Sequence, residues 1–141
     1  MFGPLWAAPL LISCVVLTGC RHESHARVSR DEAREVLANN MLEQVPRWKR
    51  VQRLPKNAVA GARVFAQSGC TTCHTYLRSG GRNLGASDLS RVGRRHGVRF
   101  FERYVAEPAR YRNRVMPPFS ALGRARLHEL ALFLAASKGS L

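Results

Sequence analysis

The amino-acid sequence predicts an all-α fold with three to five helices. Apolar residues recur at helical spacing in several segments, and no segment of strand length alternates apolar with polar residues. The chain has 141 residues, which is enough for one ordinary domain and a tail. This length excludes a multidomain enzyme with separate cofactor and substrate domains.

The amino-terminal segment predicts a signal peptide over residues 1–19. Residues 5–19 carry no charge, and the run is shorter than the roughly 20 apolar residues that span a bilayer comfortably. Its length fits the apolar region of a signal peptide, although no Lys or Arg precedes it. An ordinary signal peptide without lipidation and a short uncleaved anchor are the alternative interpretations.

The apolar run ends in Leu17-Thr18-Gly19-Cys20, which resembles the lipobox of bacterial lipoproteins. In that family the peptide before the cysteine is removed and the cysteine carries lipid. The resemblance therefore implies lipidation of Cys20 and a membrane-anchored chain on the extracytoplasmic, periplasmic side.

Residues 20–56 are predicted to be a lipid-anchored tether with one short amphipathic helix. Ser29 and Glu32 have the spacing of a capping box, which predicts a helix over residues 30–44 that ends before Pro46. Its apolar stripe consists of Ala33, Val36, Leu37 and Met41. Residues 46–56 are basic and bounded by prolines, which predicts an extended connection, with Trp48 packed on the following domain.

Residues 57–141 are predicted to form the main domain. Asn57 can cap a helix that leads directly into Cys70, Pro108 stops a second helix, and a third covers residues 122–137. The segments between them predict loops, with one helical turn near Asp88. The apolar faces are Ala58, Gly61, Ala62, Phe65 and Ala66 in the first helix, Val98, Phe101 and Val105 in the second, and Leu127, Leu130, Ala131 and Leu134 in the third.

The motif Cys70-Thr71-Thr72-Cys73-His74 is typical of c-type haem attachment. Both thiols lie at one helix end, where they can form thioethers to the vinyl groups of one porphyrin while His74 reaches the iron. A thioredoxin-like dithiol needs a βαβ context and leaves the adjacent histidine unexplained. A zinc ribbon would need a second cysteine pair, which Cys14 and Cys20 cannot supply.

The sixth position of a haem iron has three candidate ligands after His74, namely His96, Met116 and His128. Met116 is preferred because it lies off any periodic apolar face, in a loop that Pro117 and Pro118 stiffen. Both histidines have polar or charged neighbours and are predicted to be exposed. His96 is the second choice.

Residues 57–138 resemble a small bacterial class I cytochrome c. The shared features are the helix before the cysteine motif, the motif itself, Met116-Pro117-Pro118 and a closing amphipathic helix. The resemblance implies helices wrapped around one covalent haem c. It also implies that the first and last helices cross near Gly61, with Phe65 and Phe133 at the contact.

Further residues are expected around the porphyrin. Apolar contacts are expected from Leu84, Leu89, Val98, Phe101, Tyr104, Val115 and Phe119. The candidate hydrogen-bond donors to the haem propionates are Arg94, Tyr111 and Arg112.

An iron that is held by both His74 and Met116 has no open position for a substrate, which predicts an electron carrier and not an enzyme. Methionine ligation also favours the ferrous state relative to two histidines. The expected function is transfer of single electrons between respiratory-chain partners. A cytochrome subunit docked permanently in a membrane redox complex is an alternative, and a haem sensor or peroxidase-type enzyme is a weaker one.

The charge balance predicts an acidic partner. Lys and Arg number 23 against 9 Asp and Glu, for a net charge of +14. Nucleic acid is disfavoured because this type of haem attachment occurs outside the bacterial cytoplasm. The acidic faces of redox partner proteins are the expected partners, and a solvated arginine-rich surface with some attraction to anionic lipid is the alternative. The arginines expected to border the haem edge are Arg78, Arg82, Arg91, Arg94 and Arg95.

Overall fold

The computed structural model describes residues 29–81 and 83–139. Within these ranges the protein is mostly helical and contains no strand, which confirms the all-α prediction. The α-helices are α1 (Arg30–Leu42), α2 (Val45–Gln52), α3 (Lys56–Gln67), α4 (Cys70–Cys73), α5 (Val98–Ala106) and α6 (Gly123–Ala136). Single 3₁₀ turns cover Val92–Arg94, Pro108–Tyr111 and Ser120–Leu122. The predictions for residues 1–19 and Cys20 lie outside the described residues.

The predicted capping box opens α1. The Glu32 backbone N–H donates to Ser29 Oγ at 3.1 Å, and the Ser29 backbone N–H donates to Glu32 Oε2 at 2.8 Å. Hydrogen bonding from the Ser29 backbone, and secondarily from its hydroxyl, holds the pKa of Glu32 below its ordinary value. This reciprocal pair satisfies two backbone donors at the helix start, as the sequence pattern predicts.

The prediction of an extended connection over residues 46–56 is wrong, because α2 occupies most of it. Pro46 stands in the first turn of α2, where a missing N–H costs no helical hydrogen bond. The proline therefore begins a helix instead of separating two segments. The helix ends at Arg53, whose backbone is left-handed with φ of 51°.

The inner face of α2 belongs to the hydrophobic core. Trp48 is fully buried, and its ring lies 5.7 Å from Phe65, 5.0 Å from Tyr76 and 6.2 Å from Phe133, measured between centroids. The expected packing of Trp48 on the domain is thus confirmed. Gln52 adds a polar link, since its Nε2 donates to the Ser90 carbonyl and its Oε1 accepts from the Gly139 N–H, both at 2.8 Å.

The start and end of α3 differ from the prediction. The N-cap residue is Pro55, and no side chain caps the helix, so Asn57 is not the cap. At its other end α3 stops at Gln67 and does not run into Cys70. Gly69, with φ of 75°, reverses the chain and allows the short α4 to begin at Cys70.

Two later elements follow the prediction and one does not. The helix stopped by Pro108 is α5, and the closing helix is α6. The helical turn expected near Asp88 is instead the turn Val92–Arg94. The Asp88 carboxylate accepts hydrogen bonds from the Thr75 hydroxyl and the Ser90 N–H, each at 2.8 Å, and so stabilises a loop.

Helices α3 and α6 cross at Gly61. A Cβ atom on Gly61 would lie 1.9 Å from the Glu129 carbonyl oxygen and 2.8 Å from the Phe133 Cβ. The rings of Phe65 and Phe133 pack beside the crossing, with centroids 5.2 Å apart. The close approach of the two backbones therefore requires glycine, and the expected contact is confirmed.

Gly61→Ala is expected to destabilise the fold by about 3 kcal/mol or more, because the obstructing atoms are backbone and cannot rotate away. The melting temperature should fall by roughly 10 °C or more. Gly97→Ala is the control, since a Cβ there meets no atom within 4 Å. Thermal unfolding of both variants decides the matter, and equal stability would contradict the crossing geometry.

Candidate functional site

The cysteine motif and Met116 line one cavity of about 350 Å³, within the usual size range of ligand sites. Its walls come from α3, α4, the loop over residues 84–89, α5, the loop over residues 113–119 and α6. Apolar residues contribute most of the lining, including Phe65, Val105, Leu130 and Leu134. The cavity is thus an apolar site with a few polar and sulfur-bearing groups.

The short helix α4 presents the motif to the cavity. Cys70, Cys73 and His74 all line it. The His74 backbone N–H donates to the Cys70 carbonyl at 2.9 Å, which closes the helical turn. Both thiols are free, and they lie on the same turn as the histidine. The structure therefore brings together three of the four residues predicted for the haem site on a single element.

The His74 ring is oriented by a backbone hydrogen bond. Its Nδ1 lies 2.8 Å from the Ser87 carbonyl oxygen. A carbonyl only accepts, so Nδ1 carries the proton, and in the neutral ring Nε2 is then the nitrogen with the lone pair. Metal-bound histidines are held in this way, with one ring nitrogen on a carbonyl and the other on the metal.

The loop that supplies Ser87 is fastened to the motif by backbone hydrogen bonds. The Gly81 N–H donates to the Thr71 carbonyl at 2.7 Å, and the Asn83 N–H donates to the Cys73 carbonyl at 3.1 Å. Farther along, the Leu89 N–H donates to the Thr75 carbonyl at 2.9 Å. These bonds fix the loop that forms one wall of the cavity and determines the orientation of His74.

Met116 reaches the same cavity from a second loop, where it is half-buried. Asn113 Oδ1 accepts from the N–H groups of Val115 and Met116, at 3.2 and 3.1 Å. Asn113 Nδ2 in turn donates to the Tyr104 hydroxyl at 2.7 Å, which ties the loop to α5. The methionine is therefore held by an Asn turn as well as by the two prolines that follow it.

Burial raises the pKa of the Cys70 thiol to about 12. The thiol is therefore protonated at neutral pH. Cysteines that act through disulfide exchange have lowered pKa values, which supply the thiolate nucleophile. The environment of Cys70 is unlike that of a reactive dithiol.

Most of the expected apolar lining is found in the cavity, but two residues are not. Leu84, Leu89, Tyr104, Val115 and Phe119 line it. Val98 and Phe101 do not. Phe101 is buried one turn earlier on α5, against the rings of His96 and Phe100. Val98 and Phe101 share a periodic face of α5 with Val105, but only the carboxyl-terminal part of that face reaches the cavity.

The two alternative histidine ligands lie elsewhere. The His96 ring is stacked on Phe100 with centroids 3.7 Å apart, and the residue is exposed. His128 is exposed as well, and its Nδ1 lies 2.6 Å from Glu102 Oε1. Neither lines the cavity, so among these candidates Met116 alone shares it with His74.

The arginines and the tyrosine expected beside the haem do not line the cavity. This holds for the candidate propionate donors Arg94, Tyr111 and Arg112. The Arg94 Nε donates to the Lys138 carbonyl. Arg78, Arg91, Arg94 and Arg95 are exposed, but none of them is part of the lining, and Arg82 lies outside the described residues.

Sequence reasoning missed Ser87 and Asn113. Ser87 acts through its backbone carbonyl, which no side-chain pattern can reveal. Asn113 could have been found, since an asparagine three residues before a loop methionine is suited to an Asx turn. Leu130 and Leu134 were assigned to the helical core, and they line the cavity as well.

Within residues 29–81 and 83–139, no group of three or more His, Cys, Asp and Glu could hold a metal ion by itself. No helix in these ranges is long and apolar enough to cross a membrane. Cys70, Cys73, His74 and Met116 are the cavity residues that could hold a haem, whose porphyrin would supply the other ligands of its iron. Comparisons with protein-family models, curated proteins and solved structures found no match.

Proposed function

We propose that this protein is a membrane-tethered, mono-haem c-type cytochrome that carries single electrons between respiratory-chain partners on the periplasmic side. In this proposal Cys70 and Cys73 hold one haem c through thioethers, and His74 and Met116 are the axial ligands. Residues 57–138 correspond to the class I cytochrome c domain. The partners are redox proteins with acidic faces.

The observation that carries the proposal is the orientation of His74 beside two free thiols. The Ser87 carbonyl accepts from Nδ1, so that in the neutral ring Nε2 is the nitrogen free to bind a metal, and His74 lines the same cavity as Cys70, Cys73 and Met116. This donor set suits a covalently attached haem, because it joins two thiols, an imidazole and a thioether at one apolar site. A dithiol oxidoreductase would not account for the oriented histidine or for Met116.

When bound, haem supplies a one-electron couple at its iron. The chain's own residues would exclude water from it through the apolar walls of the cavity. The Asn113 turn would hold the Met116 thioether in place, and Ser87 would fix the imidazole. Holding both axial side chains by hydrogen-bonded loops limits the rearrangement between oxidation states, which suits a carrier better than a catalyst.

Membranes from bacterial cells that export the full chain and attach c-type haem test this proposal. The chain should give a reduced-minus-oxidised haem spectrum in the membrane fraction, and a potentiometric titration should follow a one-electron curve. The reduced form should not bind carbon monoxide readily. A spectrum that appears only in the soluble fraction, or rapid carbon monoxide binding, would oppose a tethered carrier.

The same membranes test the anchor through mass spectrometry of the mature amino terminus. We expect cleavage before Cys20 and a lipid on its thiol, whereas Cys20→Ser should leave the chain unprocessed. An unlipidated terminus, or retention of residues 1–19 in the unaltered chain, would disprove the anchor without affecting the assignment of the haem site.

A further inference from the structure

The outer face of α2 is cationic. Arg47, Lys49, Arg50 and Arg53 are exposed there, while Val45, Trp48 and Gln52 are buried on the other side. The sequence contains no Asp or Glu between Glu43 and Asp88. The helix itself contains no carboxylate, and the nearest one in the sequence is Glu43, two residues before it.

A groove next to α2 adds two more bases. It is lined by Arg50, Val51, Gln52, Arg53, Arg94, Lys138 and Gly139. Arg94 is held there by its hydrogen bond to the Lys138 carbonyl, and Gln52 joins α2 to Gly139. No carboxylate is among these described lining residues. We define the α2 cationic surface as Arg47, Lys49, Arg50, Arg53, Arg94 and Lys138.

Helix stability explains only part of this clustering. Lys49 and Arg50 lie in the last turn of α2, where cations interact favourably with the helix dipole. Arg47 is in the first turn of the helix, where the dipole disfavours a cation. Arg94 and Lys138 come from other parts of the chain. A surface built from three separate segments therefore has an excess of charge that its own fold does not require.

The α2 cationic surface and the cavity do not overlap. No residue of α2 lines the cavity. Between them lies the aromatic cluster, in which Trp48 packs against Phe65 and Phe65 in turn lines the cavity. Two of the cavity residues are strongly exposed apolar side chains, Leu84 at 76% and Val115 at 63%. Neither of these two residues belongs to the α2 cationic surface.

We infer that the α2 cationic surface docks on the anionic phospholipid headgroups of the membrane that carries the tether. The inference rests on the proposed membrane attachment. Eight residues lie between Cys20 and Ser29, and such a segment reaches at most about 30 Å when fully extended. The domain is therefore confined close to the bilayer, where clusters of four to eight Lys and Arg bind anionic lipid.

Docking in this way would orient the domain. The segment between Cys20 and Ser29 fixes only the distance from the membrane, whereas the α2 cationic surface selects which side faces it. The cavity residues Leu84 and Val115 would then remain accessible to a soluble or membrane-bound redox partner. This gives part of the charge excess a role other than steering toward that partner.

Vesicle binding by a chain that begins at Arg21 tests the inference. All the buried core residues described lie between Val45 and Ser137, so this chain keeps the whole core. Trp48 is then its only tryptophan, and its emission together with circular dichroism reports folding. Sedimentation is measured with phosphatidylcholine vesicles with and without phosphatidylglycerol. Detection by protein staining makes the result independent of haem and of lipid at Cys20.

The unaltered chain should bind only the vesicles that contain phosphatidylglycerol. The combined variant Lys49→Gln, Arg50→Gln, Arg53→Gln should bind them about 100-fold more weakly, because each base contributes about fivefold to the affinity. The control, Arg99→Gln, Arg103→Gln, Arg124→Gln, removes the same charge from exposed sites on α5 and α6. It should weaken binding less than about tenfold. Equal weakening by both variants would show that binding depends on net charge alone and not on the α2 cationic surface. Failure of the unaltered chain to bind would indicate an acidic protein as the partner of that surface. Either result overturns the inference.

Discussion

Replacing both Cys70 and Cys73 by serine is expected to abolish covalent haem attachment. Serine has nearly the same shape but cannot form a thioether, so the variant isolates the chemistry of the two sulfurs. Each single variant should retain at most one thioether, which shifts the spectrum of the alkaline pyridine complex. Haem staining after denaturing electrophoresis should be lost entirely in the double variant.

Thr72→Ser is the control for this experiment. Thr72 lies between the two cysteines, is exposed and does not line the cavity. Its variant should keep covalent haem at the level of the unaltered chain. If the double cysteine variant still retained haem after denaturation, the thioether assignment would be wrong, whatever the fold of the variant.

Met116→Ala is expected to keep the haem covalently bound and to open its sixth position. The side chain would no longer reach the iron from the loop that Asn113 holds. The ferric spectrum should lose the weak red band of thioether ligation, and carbon monoxide should bind the ferrous form readily. The change is from almost no binding to full occupancy, which makes it one of the largest effects the account predicts.

Met41→Ala provides the comparison. Met41 is also half-buried, but it lies on α1 and does not line the cavity. Its variant should bind carbon monoxide no better than the unaltered chain. If Met116→Ala leaves the spectrum unchanged, another side chain holds the iron, and His96 would then be examined first even though its ring is stacked on Phe100.

The parts of the fold that could be predicted are those that local pattern determines. The capping box of Ser29 and Glu32 is formed, and the periodic faces of α5 and α6 give helices close to the expected bounds. In each case the signal lies within a few residues of the element it describes. Gly61 was predicted to lie at a close helix contact because a family resemblance pointed to it, and the structure agrees.

The errors come from residues whose role depends on context. Proline favours both the end of one helix and the first turn of the next, so Pro46 could not by itself reveal α2. The burial of Trp48 favours a helix that begins at this proline, because the tryptophan anchors α2 in the aromatic core. Asn57 has a good capping side chain, but α3 begins before it.

The side chains of the candidate site could be predicted from the sequence. The backbone groups that hold those side chains in position could not. Cys70, Cys73, His74 and Met116 were all found from sequence, and the structure places them on one cavity. The orientation of His74 depends on a carbonyl thirteen residues away, which only the folded loop brings within reach. Charge was the least informative signal, since it gave no sign that Arg94 would face the groove beside α2 and not the cavity.

Covalent attachment of one haem at Cys70 and Cys73 can be tested by the mass of the denatured, mature chain. The full chain is expressed in a bacterium that attaches c-type haem, purified from its membranes and measured intact under denaturing conditions. We expect one species, heavier than the lipidated polypeptide by the mass of one haem, with the added mass confined to the peptide that contains Cys70 and Cys73. A chain without added haem, or with haem that separates on denaturation, would contradict it.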